Sequence, residues 1–451
     1  MSCKEKSLKI KFSNYLLVAV LQATLAVCRG IKMELDIVGL VSACSYALDC
    51  IEAELVHVTN RHGKRVAYIS VCMAERLGIK GRALQDLAIC ALLHDNALTQ
   101  YISEEVQKKP DAVNAEGEYD RSAMSELVSE ITPKKLGVHC IYGEQNIKKL
   151  PFDTDMSGVI LYHHENADGT GPFRKRWDEI PLFARIIHIC DMVDVIGNSC
   201  DFSDGNWVKA QSFIKKNRDI LFDSECVDAF LDVFSEENFV SMSQDAFEEE
   251  LWKTIPRQKR SCDFNTCKNI ADFFARIVDY KSEFTGKHSL GVAQKAAELA
   301  EYMGYSEADI EKIYMAGALH DIGKMAIGNE ILEKPGRLSD EEFSRMKNHA
   351  GYTYMILSDV EDFEEVRDWA ALHHEKLDGT GYPFGRTGAE LNEPERIMGC
   401  VDIYQALTES RPYKSGMTHE KACAILEDMA GKGWIDAAIT EKIKKCFAAT
   451  I

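Results

Sequence analysis

The chain repeats itself, and no other property restricts its architecture as much. LLHDNAL around His94 returns as ALHDIGK around His320, and LYHHENADGTGPF around His163 returns as LHHEKLDGTGYPF around His373. Upstream, RHGKRVA at His62 answers KHSLGVA at His288. His62 to His288 and His94 to His320 are both 226 residues, while His139 to His349, His163 to His373 and His164 to His374 are all 210. Asp191 to Asp402 is 211. A constant offset with one step of 16 implies two homologous units, the first carrying an insertion between Asp95 and His139, where residues 107–121 form a polar stretch. The tail beginning at Ser212 has the same layout as the shorter one near Lys421. A chain of 451 residues is long for one core. The units are accordingly placed at 1–255 and 262–451, with residues 256–261 as a short solvated joint.

Both units read as helical. Residues 307–319 set Ile310, Ile313 and Tyr314 on one face, and Gly317 continues it where a neighbour can approach closely. Residues 289–303 give Val292, Ala296, Ala297, Leu299 and Ala300 a comparable face. Asp309 and Glu311 sit in the opening turns, where helix N-terminal donors favour acids. No alternating β-branched run is long enough to require a central sheet, so the expected class is all-α, as two tandem bundles.

The formal charge of -19 argues against indiscriminate binding to DNA, RNA or an anionic membrane. It also means that an anionic substrate needs a local positive centre. Fifteen cysteines without a regular framework read as reduced thiols of a cytoplasmic protein. Lysines at 4, 6, 9 and 11 ahead of the apolar stretch 15–28 imitate a signal peptide. That stretch holds only fourteen residues, too few to cross a bilayer as a helix, and it reads as a buried first helix rather than an export signal or anchor.

The histidines and aspartates carry the chemistry. The second unit holds His288, His320, Asp321, His349, His373, His374 and Asp402, and the first holds His62, His94, Asp95, His139, His163, His164 and Asp191 at matching positions. One histidine on a helix is ordinarily a surface or satisfied core group. Several imidazoles buried together leave unsatisfied nitrogens and competing charges. Divalent cations remove both problems, because neutral imidazole and carboxylate are natural ligands of Fe, Mn and Zn. Seven donors suit two metals sharing a carboxylate. Adjacent His320 and Asp321 can grip one ion only near a helix end, which Gly323 supplies, and His373 and His374 pose the same geometry before Gly379 and Gly381.

HDIGK at 320–324, HHEKLDGTGYP at 373–383, RIMGCVD at 396–402 and TGKHS at 285–289 resemble the HD-GYP branch of the HD phosphohydrolases. The resemblance spans the second unit and implies an all-helical HD-GYP bundle that hydrolyses cyclic dinucleotides, above all cyclic di-GMP, with iron or manganese. It implies one metal on His288, His320, Asp321 and Asp402, and a second on Asp321, His349, His373 and His374. Lys324 matches a lysine that contacts the scissile phosphate, Tyr382 shapes the substrate loop, and Arg411 resembles a basic residue that grips phosphate. Asp321 and Lys324 are the expected catalytic pair. Two positions depart from the family. Phe284 stands where some members carry a glutamate for a third metal, and Gln405 replaces a usual second aspartate.

The first unit keeps every proposed ligand, so a metal centre is expected there too. It has Leu98 at the lysine position, no tyrosine in DGTGPF and no arginine where Arg411 would correspond. A regulatory or structural copy is the leading expectation, ahead of residual activity or a decaying core. For the whole chain the leading reading is cyclic di-GMP hydrolysis to the linear dinucleotide and onward to GMP. Hydrolysis of 3′3′-cyclic GMP-AMP is the alternative, followed by another phosphoester and by a non-catalytic metal- or nucleotide-binding scaffold. Iron and manganese rest on the resemblance, zinc fits the donors equally, and the oligomeric state is open, a dimer included.

Overall fold

A computed structural model describes residues 32–55, 61–98, 100–101, 133–198, 204–243, 247–255, 258–281, 288–332, 334, 336–410 and 415–450. The apolar stretch 15–28, the insertion 107–121, Phe284 and Arg411 lie outside the described residues.

The protein is all-α. Its only sheet among the described residues is one antiparallel pair, β1 (Met33–Leu35) with β2 (Arg260–Cys262). Each strand leads into the first described helix of its unit, Ile37–Leu55 or Phe264–Lys281. Asp36 accepts a hydrogen bond from the Gly39 amide and Asp263 one from the Thr266 amide, both at 2.8 Å, so the two helices start on the same aspartate cap 227 residues apart. In register, Met33 faces Cys262, Glu34 faces Ser261 and Leu35 faces Arg260. Glu34 therefore faces its own equivalent, and Met33 and Leu35 each face the other's equivalent, about a local two-fold axis between Glu34 and Ser261.

Within each unit the same helices pack in the same order. His62–Arg76 lies against Arg82–Leu92, as His288–Tyr302 lies against Glu307–Leu319. The latter pair is very close at Gly317, where a Cβ would stand 2.6 Å from the Ala293 Cα. Pro133–Ile147 matches Asp340–Ser358, and Leu182–Asn198 matches Glu393–Thr408. Glu311 is not the solvated dipole partner expected from its place near a helix start. It is buried, its Oε2 has no hydrogen-bond partner, and burial lifts its pKa to about 7.

The buried apolar side chains of both units form one continuous cluster. Helix Ile37–Leu55 packs on its own unit and also on the 3-10 turn Ile322–Ala326 and on Asp340–Ser358 of the second. The segment read as a solvated joint is held at one end. The Arg260 guanidinium bonds to the Pro151 carbonyl at 2.9 Å and Gln85 Oε1 at 3.0 Å, and pairs with Asp86 at 3.4 Å and Asp153 at 2.9 Å. No described helix is long and apolar enough to cross a membrane.

Candidate metal centre

In the second unit all seven predicted side chains converge. Helix Glu307–Leu319 ends just before His320, and Asp321 opens the 3-10 turn, so these adjacent residues leave the helical spiral and reach the same point. Gly323, expected to supply the helix end, instead lies within the 3-10 turn that follows it, and its role there is close contact. A Cβ there would stand 2.0 Å from the His349 carbonyl oxygen, so glycine lets this turn press against helix Asp340–Ser358. Thr353 clamps the contact: its hydroxyl donates to the His320 carbonyl at 2.9 Å and accepts from the Gly323 amide at 3.0 Å.

Three histidines are oriented by one device. Nδ1 of His320, His349 and His373 lies 2.8, 2.7 and 2.6 Å from the carbonyl three residues earlier, at Gly317, Met346 and Ala370. Donation through Nδ1 leaves each Nε2 lone pair facing the centre. Asp321 divides its carboxylate between two clusters. Oδ2 is 3.1 Å from His320 Nε2, while Oδ1 is 3.5 Å from His349 Nε2 and 4.0 Å from His373 Nε2. Asp402 Oδ1 sits 3.0 Å from His288 Nε2 and 3.8 Å from His320 Nε2.

Asp321 Oδ1, His349 Nε2 and His373 Nε2 are buried without a hydrogen-bond partner. Such orphans are costly unless something else satisfies them. His288, His320 and Asp321 offer ligand atoms within 4.8 Å of one another, as do His349, His373 and His374. The donor set fits two divalent ions with Asp321 between them. Burial drives His349 to about 4 and His374 to about 3, so these imidazoles are neutral, the form that binds metal. Burial alone would raise the Asp321 carboxyl, but His320 and Lys324 overrule it and hold it well below the carboxylate range.

Lys324 Nζ lies 2.5 Å from Asp321 Oδ2. The Tyr382 ring lies tilted against the His374 ring, with centroids 4.8 Å apart, and the Tyr382 amide donates to the His374 carbonyl. The loop behind it folds around Glu375, whose buried carboxylate accepts the amides of Phe384, Gly385 and Arg386 at 2.7, 3.0 and 3.0 Å. Within the loop a Cβ at Gly381 would stand 2.3 Å from the Lys376 nitrogen, so only glycine fits.

Sequence reasoning missed Glu375, Thr353 and Glu409. Glu409 Oε2 is 3.0 Å from His288 Nδ1, the carboxylate contact that Gln405 cannot make. Its signal was available, because Glu409 lies one helical turn beyond Gln405. In the first unit the equivalent contact is His62 Nδ1 to Asp194 at 2.7 Å, and Arg65 neutralises Asp194 at 2.5 Å. The second unit has Gly291 and Gln405 in place of that ion pair, and a Cβ on Gly291 would strike the Gln405 amide.

The first unit repeats the layout. Asp95 Oδ2 is 3.6 Å from His94 Nε2, and Oδ1 is 3.2 Å from His139 Nε2 and 3.5 Å from His163 Nε2. His62 Nε2 faces His94 Nε2 at 3.2 Å, and His164 lies 3.9 Å from Asp191. Where Lys324 would stand, Leu98 is buried in the core. Burial lifts Asp191 to about 6, whereas the His288 contact overrides burial and holds Asp402 well below the usual range.

This centre, paired imidazoles about a shared aspartate on an all-helical scaffold, defines a metal-dependent hydrolase of phosphoesters. The HD domain family model matches residues 47–201 and 272–439. A 3′3′-cGAMP-specific phosphodiesterase 1 of Vibrio cholerae is 27% identical over 85% of this chain and 86% of its own. A cyclic di-GMP phosphodiesterase response regulator of Xanthomonas campestris is 38% identical over 35% of this chain and 42% of its own. The crystal structure of a cyclic GMP-AMP specific phosphodiesterase of Vibrio cholerae superposes with a TM-score of 0.63 at 23% identity, covering 92% of this chain and 98% of that one. The chain belongs to the HD domain family, as a tandem HD-GYP-type, metal-dependent phosphodiesterase.

Proposed function

We propose that the second unit hydrolyses a cyclic dinucleotide, and that the substrate is 3′3′-cyclic GMP-AMP. For the reaction, the supporting observation is Asp321 dividing its carboxylate between two histidine clusters beside Lys324. For the substrate, the 3′3′-cGAMP-specific relative matches across both units, whereas the cyclic di-GMP relative matches about one. This reverses the order of the sequence reading, which led with cyclic di-GMP. The division at residues 256–261 is part of the proposal, with the second unit catalytic and the first regulatory or structural. Free thiols at every described cysteine favour a cytoplasmic setting.

His288, His320, Asp321 and Asp402 would hold one divalent ion, and Asp321, His349, His373 and His374 the other. Such a pair supplies an activated water and charge neutralisation at the phosphate when bound. The chain's own groups do the rest. The Lys324 ammonium, whose pKa Asp321 lifts against the pull of burial, offers a positive charge to a non-bridging phosphate oxygen as negative charge builds there. Tyr382, fixed over His374, walls the pocket on the side of the loop, and Arg411 is the proposed second phosphate grip. Glu409 and Asp402 orient the two nitrogens of His288. The first cut gives a linear dinucleotide and a second gives mononucleotides.

The test is turnover of a panel of cyclic dinucleotides by anaerobically purified protein of measured Fe, Mn and Zn content. A kcat/KM for 3′3′-cyclic GMP-AMP at or below that for cyclic di-GMP would reject the substrate. Loss of turnover in H373A/H374A but not H163A/H164A is expected. The reverse pattern would move catalysis to the first unit.

A further inference from the structure

The first unit's centre contains a donor that the second lacks. Cys140 follows His139 on helix Pro133–Ile147, and its counterpart is Ala350. Cys140 is fully buried, and its Sγ lies 3.6 Å from His139 Nε2. His139, Cys140, His163 and His164 each offer a ligand atom within 4.8 Å of the others. A buried cysteine is ordinarily a small apolar filler. Here, however, the surrounding groups point to a ligand. His163 is fully buried with Nδ1 committed to the Ile160 carbonyl at 2.6 Å, and its Nε2 has no hydrogen-bond partner. The His139 Nδ1 is likewise buried without one. Two imidazoles nine-tenths or more buried thus flank the thiol, each with one unsatisfied nitrogen: Nε2 of His163, and Nδ1 of His139, whose Nε2 is the atom beside the sulfur.

We infer that the first unit binds a divalent ion through His139, His163, His164 and the Cys140 thiolate, as a closed zinc-type site. Binding breaks the S–H bond, forms a metal–sulfur bond and releases one proton to solvent. Three imidazoles and a thiolate complete a tetrahedron, which is the arrangement of structural zinc, and they leave no position for water or a phosphate oxygen. A thiolate also biases the choice of ion toward zinc over manganese. The two units then hold different metals for different purposes. Leu98 in place of the lysine follows from this, because a centre with no open position has no anion to attract. The inference rests on the metal-centre reading of the repeat.

The experiment uses the full chain, stripped of metal and reloaded with Co2+. A near-ultraviolet sulfur-to-cobalt charge-transfer band is expected. It should vanish in C140A, which copies Ala350, and in C140S, which keeps the volume but removes the sulfur. It should persist in C423A, whose thiol lies beside a lone His419. A cobalt-loaded protein without the band overturns the inference, as does a band that survives both Cys140 variants. Turnover in the same samples separates the two claims. Activity without the band sinks this site alone, and the band without activity sinks the phosphodiesterase reading alone.

Discussion

Asp321 is the residue on which most of the centre turns, because each of its oxygens serves a different cluster. D321A should cost at least ~3 kcal/mol of transition-state stabilisation, roughly 100-fold or more in kcat, with loss of bound metal. Kinetics together with metal analysis checks both parts. E409Q keeps the shape but weakens the hold on His288. A fall of roughly 10- to 100-fold in metal affinity is expected, read by competition with a chelator. Glu311 gives a pH-dependent expectation away from the centre. Its folded pKa of about 7 exceeds the ordinary 4.5, so the folded state binds this proton more tightly than the unfolded one. The resulting support is complete below 4.5 and is lost as pH rises through 7. E311Q should therefore raise stability relative to the parent at pH 8, by up to about 3 kcal/mol, and change little at pH 4.5. Equal shifts at both pH values, by thermal unfolding, would refute it. The ligand histidines were legible in the sequence because duplication marked them twice. Glu409 was legible only indirectly, through the departure at Gln405 one helical turn before it, and the Gly291 that faces Gln405 gave no sign of its purpose.

At the scale of elements, the two copies solve one packing problem in two ways. In the second unit Gly323 on the turn meets Thr353 on the helix. In the first, Ala97 stands on the turn and Gly143 on the helix, with Ile160 2.9 Å and Asn96 3.2 Å from where a Cβ would be. The small residue has changed sides. G323A alone drives a methyl into the His349 carbonyl, and overpacking of this kind costs roughly 1–3 kcal/mol. T353V, which keeps the volume but removes the hydroxyl, should cost ~1–3 kcal/mol because the His320 carbonyl and the Gly323 amide lose their partner. Equal melting of T353V and the parent would show the clamp to be dispensable. Helix limits near 288–302 and 307–319 followed from periodicity. The reason for Gly323 did not, since a glycine needed for contact and one needed for a turn look alike in sequence. Glu311 misled for a similar reason, because a position near a helix start does not reveal what covers it.

For the molecule as a whole, duplication predicted two units but not how they meet. Arg260 is nearly enclosed by first-unit groups, and removing it leaves Asp86 short of its cation. R260A should destabilise the protein by roughly 3 kcal/mol, visible as a lower melting temperature, whereas R260K should retain part of the effect. An unchanged melting temperature would mean that the contact carries no weight. The meeting of the units was illegible because β1 and β2 are three residues each, too short for any alternation to register. The symmetry of that small ribbon has its own implication. One residue facing its own counterpart, with its neighbours paired crosswise, is the mark of an isologous contact, the kind two identical chains make with each other. Here both halves of the handshake sit on one polypeptide. The partner is always present at stoichiometry, and either half can change without being matched in its twin. A severed second half would present an open strand edge and, by the same logic, find a copy of itself.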